Sequence, residues 1–462
     1  MNHIKHNLRL RIVKILMAVL ATIPFAACWY LYYADSILRP FYNKGNWLMI
    51  VLFLIVYIMF VKIYDAFQVS THRISYMVYS QTLSVLLADG IMFVVIWLLK
   101  RSFPNALPGV IALAAQFLLI VIWSIGAHNW YFKAFPPKKS AIVYDKQYAI
   151  ERLIHQYDLT KKFEICQIVK ATECAKNLDR LNSMETVFIS GVPSHDRNVI
   201  LKHCVSQGIT VYVLPRIGDI ILSGARRMHM FHLPMLRVDR AMNNPENVFV
   251  KRCMDILFAT IALIVVSPIM LIAAIAIKAY DGGPVLYRQT RLTRDGKEFQ
   301  IIKFRSMRVD AEKDGVARLS TGDKDDRITP VGRIVRKLRI DELPQLINII
   351  GGSMSIVGPR PERPEIAAQY EKALPEFRLR LQVKAGLTGY AQVYGKYNTS
   401  PYDKLQMDLM YIANANVLED LRIILATLKV LFLSESTDGI DEGQTTAVKE
   451  TVEENLVGAG KR

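Results

Sequence analysis

The chain has 462 residues, room for two or three domains, and 52% of them are hydrophobic, a share that excludes a wholly soluble protein and calls for membrane spans. The formal net charge is +17, yet no DNA- or RNA-binding motif accompanies it, so nucleic acid is set aside in favour of lipid headgroups and phosphorylated substrates. The five cysteines (Cys28, Cys166, Cys174, Cys204 and Cys253) are scattered and form no C-x-x-C pair, which indicates neither a disulfide framework nor a zinc site.

Four apolar stretches come first, at residues 15–33, 47–61, 83–99 and 107–127. Each approaches the ~20 residues that a bilayer crossing needs. Trp29, Tyr30, Trp47, Trp97 and Trp130 lie near their ends, as an aromatic belt would, and Pro24 is expected to kink the first. Lys5, Arg9, Arg11, Lys62, Arg73, Lys133, Lys138 and Lys139 gather on one side, against Arg39, Lys44, Lys100 and Arg101 on the other. That bias predicts a cytosolic N terminus. A transporter would carry several polar groups in these spans; only Asp89 stands out.

Residues 138–245 alternate short apolar strands (141–144, 163–169, 186–190 and 210–214) with helical stretches such as 148–155 and 198–207. That alternation predicts a small parallel sheet. No G-x-G-x-x-G is present, so a structural or dimerising role is preferred to nucleotide binding.

A further apolar stretch, 256–277, is long enough to cross a membrane, but Ser267-Pro268 falls at its middle. Pro268 cannot donate to the carbonyl of Ile264 and clashes with it, so the helix should bend there, and Ser267 can satisfy a freed backbone group. Basic residues flank both ends: Lys251 and Arg252 before, Lys278 and Arg288 after. Two strands, 285–290 and 299–304, then surround Arg294-Asp295-Gly296 as a hairpin would. Alternation along the second puts Lys303 and Arg305 on one face, where they suit phosphate, although either alone is more often a solvated charge. Residues 310–326 read as a charged loop. Residues 331–338, with Arg336, read as a basic amphipathic helix for the membrane interface.

The chain is organised around 339–362. Asp341 and Glu342 open an apolar run with helical spacing (Leu343, Leu346, Ile347, Ile350), with Pro344 in its first turn and Gly351-Gly352 as its stop. A β segment at 354–357 leads into Gly358-Pro359-Arg360-Pro361. A carboxylate near a helix N terminus should be held anionic by the dipole and free N–H groups. An anionic aspartate can attack phosphorus, and its neighbour can hold Mg2+. Such a pair is more often only a cap; the arginines and membrane segments around it reverse that weighting. A helix at 364–370, the loop Gly386-Leu387-Thr388-Gly389 and a helical segment 401–433 bearing Asp408, Tyr411 and Asp420 follow. The tail from 435 is polar and acidic and is predicted to be disordered.

Six ordered motifs carry a resemblance: K-R-C-M-D-I at 251–256, G-P-V-L-Y-R-Q at 283–289, K-F-R-S-M at 303–307, D-E-L-P-Q-L at 341–346, V-G-P-R-P at 357–361 and G-L-T-G at 386–389. From about 251 to 433 the chain resembles the bacterial sugar transferases, the polyprenyl-phosphate hexose-1-phosphate transferases, and the part before 251 resembles the larger members. The resemblance implies a membrane protein combining an α-helical bundle with α/β parts. Four transmembrane helices (1–137) precede a Rossmann-like parallel α/β module (138–245) and a monotopic catalytic domain (246–434) with a re-entrant helix at 254–278, a β-hairpin and interfacial helices; 435–462 is the tail.

The implied reaction moves a hexose-1-phosphate from a UDP-sugar to undecaprenyl phosphate and releases UMP, at the start of capsular, exopolysaccharide or O-antigen repeat-unit assembly. Asp341 is the implied nucleophile and Glu342 the ligand of Mg2+. Arg360, Lys303, Arg305, Arg336 and Asp408 are placed near substrate, and Ser267 and Pro268 form the re-entrant break. The site would face the cytoplasm at the bacterial inner membrane, among membrane lipids, in an arrangement compatible with a homodimer. The chain departs from the family pattern at Gly351-Gly352-Ser353 (usually K-G-D), at Ala385 (usually Pro) and at Arg339-Ile340 (usually with Ser or Thr). The competing reading, a non-catalytic assembly factor of a polysaccharide export system, would not need the acidic pair beside an ordered Arg360 loop.

Overall fold

The computed structural model describes residues 2–431 apart from 43, 72, 146–149, 158, 241–244, 310, 312–326 and 396–399. The expectations for the charged loop 310–326 (Ala311 excepted) and for the tail fall outside these residues. The chain forms two compact units, Met1–Leu214 and Pro215–Arg462.

The first unit opens with α1 (Asn2–Cys28), which runs through Pro24 as continuous helix and ends in a π-type turn at Trp29–Tyr33. α2 (Lys44–Ile63), α3 (Ile74–Lys100) and α4 (Leu107–Ala134) follow, and all four helices are long and apolar enough to cross a membrane. Large apolar side chains such as Ile15, Leu31, Ile55 and Ile122 are exposed. The interior is more polar than Asp89 alone suggested. Tyr57 donates to Gln81 Oε1 (3.2 Å), Gln81 to the Ala66 carbonyl (3.2 Å) and Gln116 to the Ala21 carbonyl (2.9 Å). Such bonds join helices where lipid supplies no hydrophobic drive for association.

The same unit continues through β1 (Lys138–Tyr144), α5 (Ile150–Gln156), β2 (Phe163–Lys170), α6 (Ala171–Lys176), β3 (Thr186–Ser190), α7 (Ser194–Ser206) and β4 (Thr210–Val213). The strands pair in parallel in the order β2-β1-β3-β4. On one face Ala141, Val143, Val187 and Ile189 pack with Cys174, Ile200 and Cys204. On the other Ile142 packs with Ile150 and Ile154. β1 is therefore covered on both faces, which is why its sequence reads as an unbroken apolar run.

The second unit begins with α8 (Ile217–Ser223) and an antiparallel hairpin, β5 (Arg226–Met230) and β6 (Leu233–Arg237), which the apolar pattern did not reveal. Its residues are nearly all exposed, so no burial rhythm marks it. α9 (Pro245–Asp281) spans 37 residues. β7 (Leu286–Leu292) and β8 (Glu298–Phe304) then pair around the Arg294–Gly296 turn. α10 (Pro330–Lys337) is capped by Thr329, whose hydroxyl accepts from Gly332 N at 2.9 Å. α11 (Gln345–Ile350), β9 (Ser355–Val357), α12 (Pro364–Ala373), β10 (Gly386–Thr388), α13 (Tyr390–Tyr394), α14 (Pro401–Asn414) and α15 (Val417–Leu431) complete it. The helical segment expected at 401–433 is thus two helices. Asn416 Oδ1 accepts from Glu419 N (2.9 Å), restarting the helix as an N-cap does. Leu405, Leu409 and Ile412 of α14 form the core with Ile220, Tyr370, Phe377, Val383 and Ile423.

α9 continues as helix through Ser267 and Pro268. The carbonyl that Pro268 leaves without an N–H, that of Ile264, accepts instead from Ser267 Oγ at 2.8 Å. Both ends of α9 are bonded into the second unit. Near its start Asp255 Oδ1 accepts from Ser355 Oγ and Ile356 N, each at 3.0 Å. At its last residue Asp281 pairs with Arg305. Between those ends Ile264, Val265, Leu271 and Ile272 are each more than three-fifths exposed (68, 69, 63 and 68%).

Candidate active site

Asp341 and Glu342 sit in a 3-10 turn, Ile340–Glu342, that precedes α11. Arg339 enters the turn at φ 53°, a left-handed conformation uncommon outside glycine. Pro344 is the residue that caps α11, so the helix begins three residues after Glu342 and not at the pair. The expected dipole argument for Asp341 therefore does not apply. Its carboxyl is pushed up to about 6 instead, first by burial and then by the charge of Glu342, while Lys303, Arg336 and Arg360 pull the other way. Burial also acts to raise Glu342, but Arg360, Lys303 and Arg339 outweigh it and hold that group well below the usual carboxylate range.

Arg360 Nη2 donates to Glu342 Oε1 at 2.8 Å, Lys303 Nζ lies 3.6 Å from the same oxygen, and Arg339 Nη1 lies 3.9 Å from Oε2. Lys303 comes from β8, as alternation required. Arg305 does not join it. The strand ends at Phe304, and the nearly buried Arg305 side chain turns to Asp281, so it fastens the end of α9. Arg336, on α10, is close enough to favour the ionised form of Asp341.

The loop that carries Arg360 is clasped backbone to backbone. Gly358 N donates to the Thr388 carbonyl and Gly386 N to the Pro359 carbonyl, both at 2.9 Å. A Cβ on Gly386 would fall 2.1 Å from Gly358 N, which only glycine avoids. Arg380, just 4% exposed, reaches the loop from the 3-10 segment Pro375–Gln382. Its Nη2 donates to the Arg360 carbonyl (2.9 Å) and lies 2.8 Å from Asp408 Oδ2, while Nη1 donates to Glu362 Oε1 (3.4 Å). Asp408 thus meets the loop's anchor and not the acidic pair. Burial pushes its carboxyl up to about 6 against the pull of Arg380. Arg291 adds a bond to the Pro361 carbonyl (3.1 Å). Arg380, Arg291 and Glu362 are not singled out by the sequence; no local pattern marks a contact that forms only on folding.

The structure therefore gathers Asp341, Glu342, Lys303, Arg336 and Arg360, and places Arg305, Asp408, Ser267 and Pro268 elsewhere. Among the described residues no cluster of three or more His, Cys, Asp or Glu side chains could hold a metal. Mg2+ commonly takes one or two carboxylates and fills the rest of its shell with water and substrate phosphates. Two carboxylates close enough for one to raise the other fit such an ion arriving with substrate.

Fold and site together define a membrane protein with an acidic pair set among cations that suit phosphate. A family model for bacterial sugar transferases matches residues 246–434. An exopolysaccharide production protein, PSS, of Rhizobium leguminosarum bv. phaseoli is 39% identical over 42% of this chain and 98% of its own. A UDP-glucose:undecaprenyl-phosphate glucose-1-phosphate transferase of Caulobacter vibrioides is 40% identical over 40% of this chain and 71% of its own. A UDP-N-acetylgalactosamine-undecaprenyl-phosphate N-acetylgalactosaminephosphotransferase of Aeromonas hydrophila is 36% identical over 50% of this chain and 54% of its own. The chain belongs to the bacterial sugar transferase family. It spans about half the length of most curated relatives it matches.

Proposed function

We propose that the protein moves a hexose-1-phosphate from a UDP-sugar to undecaprenyl phosphate and releases UMP, in the assembly of a bacterial surface polysaccharide. The observation that carries this reading is the half-buried Asp341 carboxylate, stabilised by Lys303, Arg336 and Arg360 beside the clamped Glu342. An oxygen of Asp341 bonds the sugar-bearing β-phosphorus as the bond to UMP breaks, and UMP leaves with the bridging oxygen and its electron pair. An oxygen of the lipid phosphate then bonds that phosphorus, and the Asp341 carboxylate leaves with its electrons. One pyrophosphate linkage is exchanged for another, so no ATP is consumed. Lys303, Arg336 and Arg360 offset charge on the two polyanions that approach in turn. Glu342, with Asp341 beside it, is the group that would hold Mg2+, which would supply further charge neutralisation at the diphosphate.

The membrane placement follows the same reading. α1–α4 cross the inner membrane, and α9 enters and leaves on the cytoplasmic face. Supporting this, Asp255 and Asp281 tie both ends of α9 to one folded unit, whereas a crossing would set those ends on opposite faces of the hydrocarbon, where one such unit could not hold both. The exposed apolar residues lie between those ties. We take 246–434 as the catalytic domain.

Purified full-length protein given a panel of UDP-sugars should release UMP from one of them only when undecaprenyl phosphate is present for turnover, and EDTA should stop it until Mg2+ is restored. UMP release from none of the sugars, with folded protein, rejects the reading.

A further inference from the structure

A second group of cations lies at the far end of α11 from Asp341, and the chemistry above does not use it. Arg252 reaches across from α9 and donates to the carbonyls of Ile349 (2.6 Å) and Ile350 (2.7 Å), the last of that helix. Gly352 follows at φ +86°, a conformation that side chains rarely adopt. A Cβ placed there would sit 3.2 Å from Arg252 Nη2 and 3.9 Å from Lys384 Nζ. The two cations therefore face one point, and glycine leaves it open.

Lys384 is half-buried and forms no hydrogen bond or ion pair with the described residues. Burial depresses its ammonium, and Arg252, Arg294 and Lys251 nearby depress it further. Asp255 alone opposes them, and its Oδ1 already accepts two hydrogen bonds, from Ser355 and Ile356. A half-buried cation among like charges is costly until an anion joins it. A guanidinium and an ammonium converging on one point match a phosphate group. Ile256 and Leu257, the first exposed apolar residues of α9 after Arg252, lie one helical turn on. At ~1.5 Å rise per residue Arg252 lies about 6 Å along the helix from them, which on the proposed placement of α9 sets the cradle at the level of lipid headgroups.

We propose that Arg252, Lys384 and the Gly352 turn form a phosphate-binding cradle, separate from the Asp341 site, whose ligand is the headgroup of an anionic membrane lipid. The depth rests on the membrane placement of α9 given above; the binding itself does not depend on catalysis. The cradle also accounts for Gly351-Gly352-Ser353: a long basic side chain is absent at that corner, and the cations come from α9 and from Lys384.

The test uses full-length protein in a neutral detergent, titrated with phosphatidylglycerol, dioleoylglycerol or inorganic phosphate, with bound lipid counted by native mass spectrometry. Wild type should retain phosphatidylglycerol in preference to dioleoylglycerol. Lys384→Gln should weaken that retention about tenfold, the scale of one lost charge-assisted hydrogen bond, and Lys384→Arg should restore it. Inorganic phosphate should displace the lipid only at much higher concentration. Retention of inorganic phosphate without retention of phosphatidylglycerol overturns the lipid assignment. Equal retention by wild type and Lys384→Gln overturns the cradle. UMP release by Lys384→Gln in detergent that holds undecaprenyl phosphate but no phosphatidylglycerol should match wild type, which keeps a lost cradle distinct from lost catalysis.

Discussion

Arg360 Nη2 donates to Glu342 Oε1 at 2.8 Å, so the arginine suited to phosphate and the acid suited to a metal hold each other. Under the proposed function, incoming nucleotide has to take Arg360 from Glu342. Glu342→Gln removes that competitor, and metal-free UDP affinity, read by calorimetry in EDTA, should rise by about tenfold, roughly the worth of one charged hydrogen bond. UMP release should fall by about a hundredfold or more, because the carboxylate charge proposed to hold the metal is lost from the site.

Asp341→Asn keeps the shape of the side chain but removes the nucleophilic charge. UMP release should drop by at least about a thousandfold, and no sugar phosphate labelled at phosphorus should remain on the protein after denaturation. Melting should be unchanged or slightly raised, since a half-buried charge beside Glu342 is relieved. A normal rate in this variant would remove Asp341 from the chemistry.

The raised Asp341 carboxyl has a pH signature. The group must be ionised to attack, and burial with the Glu342 charge brings its midpoint to about 6. Acid therefore protonates it early: the rate at saturating substrate should halve near that pH and fall about tenfold per unit below it. In Glu342→Gln a charge that raises Asp341 is gone, so the acid limb of the residual activity should move to lower pH. A wild-type rate still flat at about pH 5 would contradict this assignment.

Arg380 is predicted to act by positioning. Arg380→Ala removes the nearest counter-charge of Asp408 and Glu362 and should cost about 3–5 kcal/mol, read by thermal or chemical melting. Arg380→Lys keeps the charge but not the fork that spans Asp408, Glu362 and the Arg360 carbonyl. It should fold and should raise KM for the UDP-sugar several-fold. A lowered Tm with unchanged KM would confine Arg380 to stability.

The membrane path of α9 is tested by Lys278→Cys, an exposed position near its end. An impermeant maleimide should label it in inside-out vesicles and not in intact spheroplasts. The reverse pattern would put the two ends of α9 on opposite faces.

Much of the fold was legible because its signals are local. The four long apolar helices, the parallel strands, the β7–β8 hairpin and α10 all follow from periodicity and turn chemistry within one stretch. Ser267 was read correctly as the partner for a carbonyl that Pro268 orphans, since both ends of that bond lie within one helical turn. The acidic pair and Arg360 were also visible as motifs, but their local geometry was not. A 3-10 turn set by Arg339 replaces the expected helix start, and the charge of Asp341 depends on groups from β8, α10 and the Arg360 loop. Arg305 was misplaced because strand alternation stops one residue before it. Arg380 belongs to a contact between segments far apart in the chain, which no spacing rule encodes.

The clasp between Gly358 and Gly386 leaves no room for compensation, because main chain meets main chain and no side chain on either strand can shrink to admit one on the other. Whatever lets one such protein prefer one hexose over another has to be written in side chains that border the sugar. Under the proposed function the Arg360 loop is then a fixed mount for phosphate, and substrate choice is free to drift around it.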